Sequence, residues 1–290
     1  MKPNFGHIAT TSFTMWFENH IIKEGEAYSN KTGQLYHIED ERLPNGFFRY
    51  SSPYKQWVTE SGVGGSFVPN SIYVNNEEVY RDNGPTGYYI DFANGGVVLT
   101  GTAASDSLNI TGSFGVKEFN IYNTNETEES LIVEGKFNSN SRFTVPESGI
   151  APYDIVTPAI FINNEYIENT PYAFGGEDKT TLNFKSVVLA ENLYQLDGVL
   201  SLFADTRYAA FEELPFEDYP INEYGDLKTG LYLYDQAADN ARKRANSAVF
   251  NIERVNTSKI SETVRNSISP SLYVGFIDFE VSKPRFPRIC

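Results

Sequence analysis

At 290 residues with a formal net charge of −15, the chain is long enough for one large domain or two ordinary ones, and its acidity disfavours broad nucleic-acid binding through phosphate neutralisation. A single cysteine, Cys290, excludes a disulfide framework and a cysteine-based metal cage, and suits a reducing compartment. No run approaches about 18 consecutive apolar residues, so no membrane span is expected.

The first predicted element is a helix over Thr10–Lys23, with Thr11 or Ser12 as its cap. Phe13, Trp16, Phe17, His20 and Ile21 fall at the three-and-four spacing of one face. From Gln34 onward the pattern turns to short strands parted by polar turns: 35–38, 47–50, 56–59, 71–74 and 79–80. Residues 84–101, GPTGYYIDFANGGVVLTG, read as a hairpin. Tyr88, Ile90 and Phe92 share one face, Tyr89 and Asp91 the other, and Asn94-Gly95-Gly96 tolerates the positive φ of the turn. Further strands are expected at 108–111, 117–122, 130–137 and 157–162. A recurrence every 8–12 residues or so predicts an antiparallel sandwich or barrel-like β domain.

The last third reads differently. A buried strand at 182–189 precedes a helix over 190–207, with Leu193, Leu196, Leu200 and Phe203 on one stripe and Asn192 and Asp205 at its polar ends. An acidic, proline-punctuated segment follows at 211–228, too long for an ordinary connection, so it is expected as a functional arm or exposed loop. A polar helix at 235–247 carries Arg242, Lys243 and Arg244. Strands at 249–255 and 272–281 flank a polar stretch, 256–270. The expected fold class is therefore α+β and β-rich: an N-terminal helix and arm (1–33), a β-rich domain (34–175), and a smaller α+β unit (176–290) with an extended insertion at about 208–248.

Charge is split along this order. Residues 235–290 hold nine Lys/Arg against six Asp/Glu, leaving a net −18 on residues 1–234. The basic end suits contact with an acidic neighbour such as a second copy of the chain; solvation of a mixed surface is the plainer reading. Candidate subunit contacts are Glu212, Glu213, Glu217, Asp218, Arg242, Lys243, Arg244, Lys259 and Arg265.

Catalytic, cofactor-binding and metal-ligating residues are not assigned. His7, His20 and His37 lack metal-ligand spacing with one another or with a carboxylate pair. Gly64-Gly65-Ser66 lacks the second glycine of a nucleophile elbow, and Gly112 to Lys117 has the wrong glycine spacing for a phosphate loop. Asp82-Asn83-Gly84 is a turn without the remaining ligands of a calcium loop. Carboxylates are numerous enough to leave a two-acid, β-rich hydrolase open as an alternative. The sequons at Asn30, Asn109, Asn125 and Asn256 are accounted for by chance in a chain so rich in Asn, Ser and Thr.

The stretch SIYVNN at 71–76 followed by GPTGYYIDFANGGVVLTG resembles a strand, Asn/Gly-turn hairpin of tailed-bacteriophage virion proteins. WFENHIIKEGEAYSN (16–30), LAENLYQLDGVLSLFADT (189–206) and LYVGFIDFEVSKPRFP (272–287) are similar to segments of structural proteins of tailed phages. The resemblance implies a non-enzymatic virion component without a cofactor, assembled in the host bacterial cytoplasm. It implies a place in the neck or tail, as a tail terminator or head-closure protein, active as a ring of six or twelve copies beside other neck and tail proteins. A glycan- or receptor-binding tail-tip or baseplate protein is the alternative within that class, with exposed tyrosines as the stacking surface.

Overall fold

A computed structural model describes residues 4–80, 87–101, 104–133, 138–139, 155–173, 175–222, 225–229, 231–244, 249–264 and 272–286. The fold is α+β and strand-rich, built on two curled sheets, as the sequence implies. The first helix, α1 (Phe5–Lys23), starts earlier than the apolar spacing suggests. Asn4 caps it, accepting from the His7 amide while the His7 ring accepts from the Asn4 amide.

The first sheet contains β1 (Tyr28–Ile38), β2 (Phe48–Ser51), β3 (Ser71–Val74), β4 (Glu77–Tyr80), β5 (Tyr88–Asp91), β6 (Gly96–Leu99) and β7 (Ile110–Lys117), in the order β4-β3-β7-β1-β2-β6-β5. Its pairings are all antiparallel, and the long β1 is shared, pairing with β7 through Leu35 and with β2 from Tyr36. Curling closes this sheet over its own core of Leu35, Tyr50, Trp57, Ile90, Val97 and Phe114, with Trp57 stacked on Phe114 at 4.3 Å between centroids.

The β5–β6 hairpin forms as expected, but its turn is not a free tip. Gly95, at φ +67°, lies so close to the chain at Tyr54 that an added Cβ would sit 2.0 Å from the Tyr54 carbonyl oxygen. Asp91, on the face opposite Ile90, is buried too. Its carboxylate accepts from Arg49 Nη1 at 2.7 Å, from the Asn94 side-chain amide at 2.7 Å and from the Asn94 backbone at 3.1 Å.

Beyond β7 the chain crosses to a second sheet through β8 (Asn120–Asn123). Helix α2 (Glu128–Val133) takes part of the stretch read as a strand at 130–137; Leu131 is its buried residue, and Glu128 and Glu129 fill its first turn. A two-residue strand β9 (Asn138–Ser139) pairs in parallel with β10 (Val156–Thr157). Then come β11 (Ala159–Ala173), β12 (Glu177–Ala190), α3 (Leu193–Ala204), β13 (Ala210–Glu212), a 3-10 turn (Phe216–Asp218), α4 (Tyr234–Lys243), β14 (Val249–Lys259) and β15 (Tyr273–Arg285). The second sheet runs β13-β14-β15-β12-β11-β8 and is antiparallel except for β8 beside β11.

This topology places β8 and β11, both inside the expected 34–175 domain, in the sheet that also holds β12 and β15. Hydrogen-bond pairing overrides the compositional boundary: residue 175 falls in the turn of one long hairpin, β11–β12. Helix α1, placed by the sequence in a segment of its own at 1–33, lies on this second sheet, where Phe13 stacks on Phe184 at 4.1 Å and Phe17 on Phe203 at 4.0 Å. Leu196, Val199, Leu200 and Phe203 of α3 complete that core; Leu193, read into the same stripe, is exposed because it opens the helix beside its Asn192 cap. A smaller cluster of Leu131, Phe161, Val187 and Val274 includes α2 on the other face.

Candidate functional site

Where the two sheets meet, a cavity of about 180 Å³ is lined by α1, the 56–60 connection, the ends of β7 and β8, and the 219–232 segment. The 56–60 connection builds the joint. Gln56, at φ +45°, uses its side-chain amide as a substitute peptide: Oε1 accepts from the Ile121 amide at 2.8 Å and Nε2 donates to the Ile121 carbonyl at 2.7 Å. The Trp57 amide donates to the Phe92 carbonyl at 2.8 Å, and Val58 to Gly115 at 2.8 Å, so the stretch read as a strand is a spliced connector with a single bridge pair, Trp57 to Val116.

Four ionisable groups converge here. Lys117 Nζ lies 2.6 Å from the Glu18 carboxylate and ties β7 to α1. Glu60 accepts from the Tyr234 amide at 2.8 Å and the Gly62 amide at 3.0 Å, which makes it the cap for the first turn of α4, where Leu233 offers no side-chain cap. Burial holds the Glu60 carboxyl above the ordinary carboxylate range, against the lowering effect of those two donors. Burial also raises the Tyr232 hydroxyl, and the Glu18 and Glu60 charges add to the effect; this hydroxyl has no hydrogen-bond partner among the described residues.

A carboxylate pair beside a lysine and a tyrosine contains acid–base groups, yet Glu18 and Glu60 each fasten one element to another. The space is also below the roughly 300 Å³ at which ligand pockets begin. The arrangement does the work of a joint. Among the described residues no group of three His, Cys, Asp or Glu side chains is placed to hold a metal ion, and no helix is long and apolar enough to cross a membrane.

The acidic 211–228 segment is the second half of this joint. The exposed-loop reading does not hold, because Phe211, Leu214, Asp226 and Leu227 are buried. Ser12 Oγ accepts from the Leu214 amide at 2.9 Å, and the Phe92 amide donates to Gly225 at 2.9 Å, so the segment is laced to α1 on one side and to the first sheet on the other. Apolar side chains spaced among its acids provide the anchoring that net charge concealed.

Four of the nine candidate subunit contacts pair with one another inside this chain, and two more pair with other residues of it. Arg242 Nε lies 2.9 Å from Glu212, Arg244 pairs with Asp218 at 2.8 Å, Lys283 with Glu213, and Lys259 with Asp197. Glu217 is exposed and its backbone carbonyl accepts from Lys228 Nζ at 3.0 Å; Lys243 is exposed, and Arg265 lies outside the described residues, as does Asp82-Asn83-Gly84. The stretch read as a loop from 256 is strand through Lys259. Sequence reasoning passed over Glu18, Gln56, Glu60 and Lys117. Gln56 in particular carries no sequence mark, since only the fold brings Ile121 to it.

No protein-family model matches the chain, and no curated protein matches it at significant similarity.

Proposed function

We propose that this chain is a structural subunit of a tailed-phage virion, a ring-forming component of the neck or tail such as a tail terminator or head-closure protein. The seam carries the reading: Gln56, Glu18–Lys117 and Glu60 each lock one element to another, and the acidic 211–228 segment is sewn between the sheets. Buried ionisable groups used as fasteners suit a rigid building block without enzymatic activity. The phage-like hairpin at 84–101 supports the same reading through its resemblance, and its turn serves the packing against Tyr54 rather than a ligand. Mass spectrometry and immunogold microscopy of purified particles test it. The chain is expected at a stoichiometry of one ring per particle, localised to the neck or tail; a chain absent from virions overturns the reading.

A second reading, a glycan- or receptor-binding tail-tip protein, draws on the outer face of the β3–β4 pair. Tyr73 and Tyr80 are exposed there on the same side as Glu78, with Phe67 also exposed. A glycan array separates the two readings, since the ring subunit is expected to bind nothing on it.

A further inference from the structure

The second sheet has two open edges, and their parity can be followed across the strands. The Ile260 amide donates to Val274 at 3.1 Å, so alternation along β14 turns Ser258, Asn256 and Arg254 inward to β15 and leaves Val255, Thr257 and Lys259 presenting backbone groups outward. On the opposite edge the Thr124 amide donates to the Ile162 carbonyl at 2.9 Å, which fixes Ile162 as outward-facing. The β11 register with β12 carries that parity past the bulge at Asn164/Tyr166 to Ile167 and Asn169. Neither outward set is paired with another strand among the described residues: β8 covers only Ala159–Ile162 of β11, and β13 covers only Val249–Asn251 of β14.

Charge decides which edges can meet. The open part of β11 carries Glu165 and Glu168 and no Lys or Arg, while 254–259 of β14 carries Arg254 and Lys259 and no Asp or Glu. All four are exposed; Lys259 already faces Asp197 and Glu165 lies beside Asn183 and Lys185, so Glu168 and Arg254 are the members without an ion pair among the described residues. Two copies joined symmetrically, β11 to β11 or β14 to β14, would oppose like charges; joined head to tail they oppose unlike ones.

We propose that copies of this chain assemble by adding the 254–259 edge of β14 to the 165–170 edge of β11 in the next copy, continuing the second sheet from subunit to subunit. This rests on the reading of the chain as a self-assembling subunit and names the surfaces that would do it. Because β14 and β11 run in opposite directions within one sheet, a rotation about an axis to which the strands are tilted leaves the new pair antiparallel. Each edge is a step: β13 stands level with the open part of β11, and β8 level with the open part of β14, so the two open parts meet when successive copies are offset along the strands. Pairing 254–259 with 165–170 sets Thr257 opposite Ile167; Thr257 lies level with Ser186 whereas Ile167 lies level with Leu182, so successive copies shift by about 14 Å along the strands at ~3.4 Å per residue, as tilted strands in a ring require. Pro171 lacks an amide donor and stops the pairing at the hairpin end.

Analytical ultracentrifugation and negative-stain microscopy of the purified full chain test this. The wild type is expected to form rings or short helical arrays. Thr257→Pro, which removes an outward amide, is expected to sediment as a single chain with an unchanged circular dichroism spectrum, and Thr257→Ala to assemble as wild type. Glu168→Lys and Arg254→Glu are each expected to lose self-assembly and to regain it when mixed, because each then supplies the edge that the other needs. A monomeric wild type, a Thr257→Pro chain that still assembles, or a mixture that stays monomeric overturns the proposal. Assembly that survives Thr257→Pro overturns the edge pairing while leaving the ring-subunit reading intact; absence from virions does the reverse.

Discussion

The two sheets of this protein reach comparable burial by different means. The second sheet is covered by helices, and its core is aromatic: Phe13 and Phe17 of α1 meet Phe184, Phe203 and Phe279 face to face or edge on. The first sheet curls over its own apolar side chains and places ionic side chains inside. Arg49 is held between Asp40 at 2.9 Å and Asp91 at 2.7 Å, all three nearly inaccessible. The comparison teaches where each sheet is vulnerable. An aromatic core loses stability in proportion to the volume removed, whereas a buried ionic network fails when one member is lost and the others remain charged.

The largest effect is expected from the second sheet. Phe13→Ala removes a ring stacked on Phe184 and in edge contact with Phe211 and Phe279, and is expected to cost about 3–5 kcal/mol in urea unfolding. Arg49→Ala should approach it, at about 3 kcal/mol, by taking the buried cation from Asp91 and leaving Asp40 with Arg42 alone; hydrogen exchange should show the loss concentrated in β1, β2, β5 and β6. A loss spread evenly through both sheets would break the comparison, because it would mean that the seam transmits the defect.

Gln56→Ala tests the seam directly. It leaves the Ile121 amide and carbonyl without their partner, at a cost of about 2 kcal/mol, with accelerated exchange in β8. Glu60→Ala removes the cap of α4 for about 1 kcal/mol, seen as a lower unfolding midpoint. The smallest and most local effect is a pH dependence of the first sheet. Hydrogen bonds from Arg42, with the Arg49 charge beside them, hold the Asp40 carboxyl at about 2 despite its burial. A depressed folded-state value means that the folded chain keeps Asp40 ionised where the unfolded chain protonates it. The stabilisation is therefore complete above about pH 4 and is lost as pH falls toward 2. Asp40→Asn should flatten that part of the acid-unfolding curve.

Local chemistry alone specified a good deal. The three-and-four spacing of Phe13, Trp16, Phe17 and Ile21 marks α1, Asn192 and Asp205 bound α3 as caps, and Asn94-Gly95-Gly96 marks the hairpin turn, because each signal acts within a few residues of the chain. The outer half of β11 was illegible for the converse reason: Glu165–Ala173 is exposed, so it lacks the apolar alternation that betrays a strand, and only its register against β12 makes it one.

What the tertiary structure decided was partnership. Sequence composition drew a boundary near residue 175, yet the hydrogen bonds of β11 and β12 run across it. The acidic run at 211–228 looked solvated, yet Phe211, Leu214 and Leu227 seat it in the seam while Arg242, Lys283 and Arg244 neutralise its acids. Gln56 became a joint because Ile121, 65 residues away, arrives opposite its amide. Propensity and spacing are short-range properties that a sequence carries in full. Which distant group satisfies a buried donor, acceptor or charge depends on where the whole chain folds back on itself.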